Sequence, residues 1–249
     1  MNTGIQGAQN LVGKLALTVK SEPPTKYDAL LDTYQEERQP IAQRYEQSQQ
    51  HNGSEENLNA LHKYFDPTHP EHAAKRDAVN KAGELLNLEF HAPGIEVGWF
   101  YPVADIANEG KENRHDGQLL EDGSFNITEY HPSTIPGHNL PHAWLQRQGA
   151  TTSTRDLVKF DRFVLLTQTA GIWDKANNDL VDIEVTDGES SWTDREGMWA
   201  ELSGTDKTGA ILVRPDGIVA WRVKKFEPQA LSDFPTLLKL ILKQDKSTP

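Results

Sequence analysis

The sequence predicts a mixed α/β (α+β) fold in which helices come first and a small α/β layer comes last. Apolar residues recur at helical spacing through the first forty or so positions, while short apolar runs bounded by turn signals crowd residues 163–223. A last helical stripe follows from Pro228.

Composition narrows the function classes. At 249 residues the chain is long enough for one large domain or two small ones. It holds no cysteine, which excludes disulfides, thiolate metal sites and thiol redox chemistry. With 37 acidic and 25 basic side chains the formal charge is −12, so a phosphate backbone would be repelled and no nucleic-acid partner is expected. No stretch approaches the roughly 18 apolar residues of a membrane span, and the N-terminus has no basic region followed by an apolar core. These features predict a soluble cytoplasmic protein with no membrane partner.

The first helix sets the problem. Ile5, Ala8, Val12, Leu15 and Val19 recur at alternating steps of three and four, which predicts a core helix buried along that stripe. Only Asn2 and Thr3 stand between Met1 and Gly4 to cap it, so part of what this helix packs on is expected to lie in front of it. After a loop at Ser21-Glu22-Pro23-Pro24, Leu30, Leu31, Tyr34 and Ile41 mark a second helix, which Pro40 is expected to kink or restart. Glu37 and Arg38 have the composition of a catalytic pair, but a solvated helix face with local ion pairs is the expectation.

Residues 47–56 are polar, with Asn52-Gly53-Ser54 marking a loop, and a helix is expected over Leu58–Phe65. His62, His69 and His72 invite a metal reading, yet no ligand motif of known spacing joins them and no metal is expected. A helix over His72–Leu86 should turn Ala74, Ala78 and Leu85 inward, and Gly94–Tyr101 alternates like a strand. Residues 104–124, with Asp116-Gly117 and Asp122-Gly123, read as a polar connection.

Beyond it, His142 has the residue type of an acid–base catalyst, although its setting between Pro141 and Trp144 favours a hydrogen-bonded structural histidine. Strand-like runs fall at Phe163–Thr167, Val181–Thr186, Ala210–Arg214 and Ile218–Val223. Pro215-Asp216-Gly217 is a hairpin turn between the last two. A helix near Trp173–Asn177 supplies the crossover that a parallel first pair needs. The last helix carries Leu231, Phe234, Leu237, Leu238 and Ile241 on one side. Together they suggest a thioredoxin-like α/β layer without Cys-x-x-Cys, which would pack, dimerise or shield rather than exchange disulfides.

Several blocks also carry a family resemblance. Met1-Asn2-Thr3-Gly4-Ile5-Gln6-Gly7-Ala8-Gln9-Asn10-Leu11 resembles the flavin-contacting helix of the FAD-dependent aromatic hydroxylases, with Gly7 where that family usually has Asp. Leu30-Leu31-Asp32-Thr33-Tyr34, then Glu37-Arg38 and Pro40, is similar to the family's next block, and Gly94–Tyr101 to a later one. Pro136-Gly137-His138-Asn139-Leu140-Pro141-His142-Ala143-Trp144-Leu145 is similar to a hallmark of the phenol 2-monooxygenase and 2,4-dichlorophenol 6-monooxygenase branch. Ser153–Leu157 and Phe163–Thr167 follow in family order.

The resemblance implies that residues 1–50 are the C-terminal helices of an FAD-binding domain, 51–133 a remainder and connection, and 134–249 a thioredoxin-like domain. It places Met1, Asn2 and Thr3, the helix N-terminus, toward the flavin, where free N–H groups and about half a positive charge suit developing negative charge. It implies hydroxylation of a small phenolic or other aromatic, secondary-metabolite-like substrate, with FAD as cofactor and NAD(P)H as reductant; no catalytic residue is assigned. The Gly-x-Gly-x-x-Gly turn that holds a dinucleotide pyrophosphate is missing, since no Gly-x-Gly occurs anywhere, and tight FAD binding by this chain alone is not expected. Three readings follow: the C-terminal part of such a hydroxylase, an incomplete product of its gene, or a shortened relative. The last would act as a non-oxidative tailoring enzyme or as a partner subunit of another flavoprotein. Homodimerisation or association with a flavoprotein subunit would cover the first helix.

Overall fold

Helices α1 (Asn2–Val19) and α2 (Asp28–Asn52) open the chain in the computed structural model, which describes residues 2–23, 25–52, 59, 63–87, 91–102, 115–188 and 191–244. The expected first helix is present, but it lies the other way round. Ile5, Val12, Leu15 and Val19 are 63%, 50%, 39% and 75% exposed and Ala8 is exposed too, while Gly7, Asn10, Gly13, Lys14, Leu17 and Thr18 are buried. An apolar face is ordinarily the inner one. Here polar and small side chains pack inward because charged partners wait for them there.

Helix α2 runs through Pro40 without the restart that proline could have imposed. Glu36, four residues back, lies on the exposed side, where water can serve the carbonyl that proline leaves without a donor. Helix α3 (His72–Asn87) turns Val79 inward, whereas Ala74 and Ala78 are exposed; the side chain of Leu85, and half of the helix expected over 58–65, lie outside the described residues, while 59, 63 and 64 are helical.

The stretch read as a strand at Gly94–Tyr101 instead begins with helix α4 (Pro93–Val97). Pro93 pre-sets the first helical φ. Gly94 presses so close to the chain that a Cβ there would stand 2.1 Å from the carbonyl oxygen of Asn126. Only Phe100 keeps strand character, in an isolated bridge to His138. Of the connection expected over 104–124, the described part starts at His115 with a single 3-10 turn (His115–Gly117) and closes on itself through a Leu119–Phe125 bridge.

The last part follows the sequence closely. A hairpin of β1 (Trp144–Arg147) and β2 (Ala150–Ser153) precedes the sheet, whose strands are β3 (Phe163–Thr167), β4 (Val181–Val185), β5 (Ala210–Val213) and β6 (Val219–Val223). Their order is β4-β3-β5-β6. β3 and β4 are parallel and the other two pairings antiparallel, the βαβ–ββα arrangement of a thioredoxin-like layer. The crossover between the parallel strands holds only a 3-10 turn, Asp174–Ala176, where a fuller helix was expected. A 3-10 turn (Thr154–Leu157) follows β2, and helices α5 (Met198–Leu202) and α6 (Pro228–Ile241) flank the β5–β6 pair in sequence.

Strand alternation splits the core into two layers. Phe163 and Leu165 face α1, α2 and α6, where they share a cluster with Leu17, Tyr27, Leu30, Phe234 and Leu238. Val164 and Leu166 face the β1–β2 side with Leu145, Trp192 and Trp199. A smaller cluster of Ile41, Trp99, Tyr101 and Ile218 ties α2 to the β5–β6 turn.

Candidate functional site

Successive turns of α1 meet α2 and the β5–β6 turn along a polar seam at positions 3, 7, 10 and 14, the spacing of one helix face. The carbonyl of Thr3 accepts from Arg38 Nη2 at 3.0 Å. At Gly7 a Cβ would stand 3.0 Å from the Tyr34 hydroxyl. Asn10 Nδ2 donates to Glu37 Oε2 at 2.7 Å and to Asp216 Oδ2 at 2.9 Å. Lys14 Nζ donates to Thr33 Oγ1 at 2.7 Å and to Glu37 Oε2 at 2.9 Å.

The β5–β6 turn supplies the far wall. Gly217, at φ 82°, lets the chain reverse so tightly that Arg214 N–H donates to Ile218 O and Gly217 N–H to Arg214 O. Arg214 then donates to both carboxylate oxygens of Glu37, at 2.7 and 2.9 Å, and to both of Asp216, at 3.1 and 2.7 Å. Gln9 Nε2 adds a bond to the Asp216 carbonyl at 3.0 Å. Two cations and two carboxylates thus stand in balance, each almost fully buried.

Burial alone would raise the Glu37 carboxyl, but the Arg214 and Lys14 charges and their hydrogen bonds outweigh it and hold it down to about 2. Burial draws the Lys14 ammonium below its ordinary value, against the pull of Glu37. For Arg214 burial acts the same way, yet Asp216 and Glu37 push its value well up. Glu37 is therefore ionised at neutral pH and pinned by four donors. Such a group positions its neighbours; it does not shuttle protons.

Glu37 and Arg38, expected on a solvated face, are both buried, and they do not pair with each other. Arg38 Nη1 donates to the Tyr101 hydroxyl at 3.2 Å, with the guanidinium 5.3 Å from the centre of the Trp99 ring. Burial, reinforced by Asp216, raises the Tyr101 hydroxyl pKa above its ordinary value. Met1 lies outside the described residues, α1 begins at Asn2, and Thr3 sits at the Arg38 end of the seam.

The histidines fall apart into separate roles. His142 is exposed, with Nδ1 2.7 Å from Ser153 Oγ and its ring edge-on to Trp144. His62 lies outside the described residues; His72 Nδ1 meets the Tyr64 carbonyl at 2.6 Å, and His69 Nδ1 accepts from Glu71 N–H at 3.2 Å. No group of three metal-ligating side chains occurs among the described residues. His115 and His138, not singled out by sequence, are buried together with Nδ1 and Nε2 2.9 Å apart, both stacked on Phe100. The sequence reading also missed Asn10, Lys14, Thr33, Arg214 and Asp216. The available signal was the polar side of the α1 wheel, where Asn10 and Lys14 stand four residues apart opposite the apolar stripe.

Helix α1 is thus clamped along its polar side, open along its apolar side, and mounted on a cysteine-free thioredoxin-like layer. The aromatic-ring hydroxylase C-terminal family model matches residues 133–242, and an FAD-binding-domain model matches residues 1–49. The phenol 2-monooxygenase of Pseudomonas sp. (strain EST1001) is 29% identical over 250 residues, covering 90% of this chain and 39% of that protein. The tetracenomycin A2 monooxygenase-dioxygenase of Streptomyces glaucescens is 31% identical over 257 residues, covering 100% and 39%. The crystal structure of the flavin-dependent monooxygenase PieE in complex with FAD and substrate superposes with a TM-score of 0.77 at 26% identity, over 97% of this chain and 44% of that one.

Residues 133–242 thus belong to the aromatic-ring hydroxylase C-terminal family and residues 1–49 to an FAD-binding-domain family. The chain spans about two fifths of the length of the relatives it matches.

Proposed function

We propose that this chain supplies the flavin-facing helix, its polar clamp and the C-terminal layer of an FAD-dependent monooxygenase that hydroxylates a small aromatic substrate at the expense of NAD(P)H, acting in the cytoplasm. The observation that carries the reading is the inversion of α1. Its polar side is spent on Glu37, Asp216 and Arg38, and its apolar side, Ile5, Val12, Leu15 and Val19, faces outward as a surface for another layer of protein. No helix among the described residues is long and apolar enough to cross a membrane.

The residues present suit one end of the cofactor. The first turn of α1 has no acidic side chain, and a Cβ at Gly4 would meet nothing within 4 Å, which suits an anionic ring edge beside the helix start, where the resemblance puts Met1, Asn2 and Thr3. They do not suit the pyrophosphate, for which no Gly-x-Gly turn exists. When bound, the flavin supplies the redox and oxygen chemistry. This chain's part is to hold α1 in place: Arg214 and Asp216 fix its middle and Arg38 its first turn.

The division into 1–50, 51–133 and 134–249 belongs to the same proposal, supported by the spans of the two family models. Leu17 and Leu30 pack in one cluster with Phe163 and Phe234, which joins the first and last parts. The exposed stripe fits equally a second copy or a separate flavoprotein subunit as cover, which is the alternative of a partner chain.

Co-production with the FAD-binding portion of the Pseudomonas phenol 2-monooxygenase that this chain does not span tests the reading. A yellow complex that Val12→Asp disrupts is expected. Failure of the two parts to associate, together with stoichiometric flavin retained by this chain alone, would overturn it.

A further inference from the structure

The wedge between α1, α2, the sheet and α6 is not filled. A cavity of about 80 Å³ opens there, bounded on its apolar sides by Leu17, Leu30, Phe163 and Leu237. A single water needs roughly 10–15 Å³ of such space, so the cavity is several waters large; apolar walls hold such waters poorly. At its polar end stand Lys14, Thr33, Glu37 and Arg214, part of the α1 seam.

That end has two properties that select a ligand. The cations at that end, Lys14 and Arg214, are matched by Glu37 and Asp216, so an ion of either sign reaching it would lose its hydration and find no unpaired counter-charge; Lys243, partly exposed, lines the cavity with Leu240 and Ile241 of the α6 end. Lys14 Nζ, 3% exposed, has three hydrogens, and its bonds to Thr33 Oγ1 and Glu37 Oε2 use two of them. One donor remains beside an apolar chamber.

We propose that this cavity is a binding site for a small uncharged amphipathic molecule, one ring or a short chain in size, ending in a hydrogen-bond acceptor that takes the spare Lys14 proton. The site is distinct from the helix start where the flavin is placed, and it does not depend on that placement. Because Lys14 also holds Glu37, an occupant would be felt along α1.

Saturation-transfer NMR titrations of the full chain with four ligands of one ring size test this: cyclohexanol, methylcyclohexane, cyclohexanecarboxylate and cyclohexylamine. Cyclohexanol should bind saturably and about tenfold more tightly than methylcyclohexane, the worth of one hydrogen bond to a charged donor, and the two ions should show no saturable binding. Leu240, which lines the cavity and is 41% exposed, allows the space to be blocked without touching the charges. Leu240→Trp should abolish cyclohexanol binding, and Lys14→Met should reduce it to the level of methylcyclohexane. Should Lys14→Met fail to fold, the ligand ranking and Leu240→Trp decide alone. Absence of saturable cyclohexanol binding, binding undiminished in Leu240→Trp, or equal affinity for cyclohexanecarboxylate would each overturn the proposal.

Discussion

Arg214 grips Glu37 with both terminal nitrogens, at 2.7 and 2.9 Å, across 177 residues of sequence. This fork joins the second helix to the turn of the last hairpin. Lys14 and Asn10 reach the same carboxylate from α1, so three distant segments share one ionised group.

Removing that charge should be costly. In Glu37→Gln the buried cations Lys14 and Arg214 keep only Asp216 as counter-charge, and breaking a buried pair from one side costs about 3–5 kcal/mol. Urea unfolding should show the loss at pH 7. The Glu37 carboxyl titrates at about 2 when folded, against an ordinary 4.5. Its stabilisation is therefore complete above about pH 4.5 and lost as pH falls through about 2. Over that window the stability of Glu37→Gln should change less with pH than that of the parent.

A second pH dependence should come from His138. Burial, with His115 and Arg222 adding to it, draws its pKa down from 6.5 to about 3. Below pH 6.5 the unfolded chain takes up a proton that the folded chain resists, so stability should fall from pH 6.5 toward 3 and be flat in this respect above 6.5. Unfolding midpoints measured between pH 7.5 and 4.5 should show a shallower slope in His138→Gln.

Two glycines of α1 should respond in opposite directions to alanine. At Gly4 a Cβ meets nothing within 4 Å, and the gain in helix propensity should stabilise the protein by about 0.5 kcal/mol or more. At Gly13 the same Cβ would lie 3.2 Å from the backbone nitrogen of Asp216, which the Arg214 fork prevents from moving. Overpacking of about 1–3 kcal/mol should outweigh the helix gain there. Thermal midpoints of Gly4→Ala and Gly13→Ala check the contrast.

Much of the fold was legible because local chemistry and tertiary structure agree. Phe163–Leu166 is apolar at every position and is buried on both faces; Pro215-Asp216-Gly217 turns where expected; and Pro228 starts the last helix. The β1–β2 hairpin escaped because Gln148 and Gly149, at φ 51° and 85°, make its turn without the Asn-Gly or Asp-Gly pair that usually marks one. The orientation of α1 was not legible, because a wheel with an apolar stripe and a polar side does not say which side finds partners. Asn10 and Lys14 become core residues only when Glu37 and Asp216 arrive, and Asp216 is 206 positions from Asn10. For the same reason Glu37 and Arg38 read as a solvated pair: their partners are not local.

Urea unfolding of two variants, one on each side of α1, tests the clamp most directly. Val12, 50% exposed, can become Asp within about 0.5 kcal/mol of the parent if the apolar side faces outward. Asn10→Ala should cost about 1–3 kcal/mol, because it removes a donor from both Glu37 and Asp216 in a buried site. That order, Asn10→Ala the less stable, is the predicted result. The reverse, with Val12→Asp markedly destabilised and Asn10→Ala close to the parent, would contradict the clamp and the flavin-facing placement built on it.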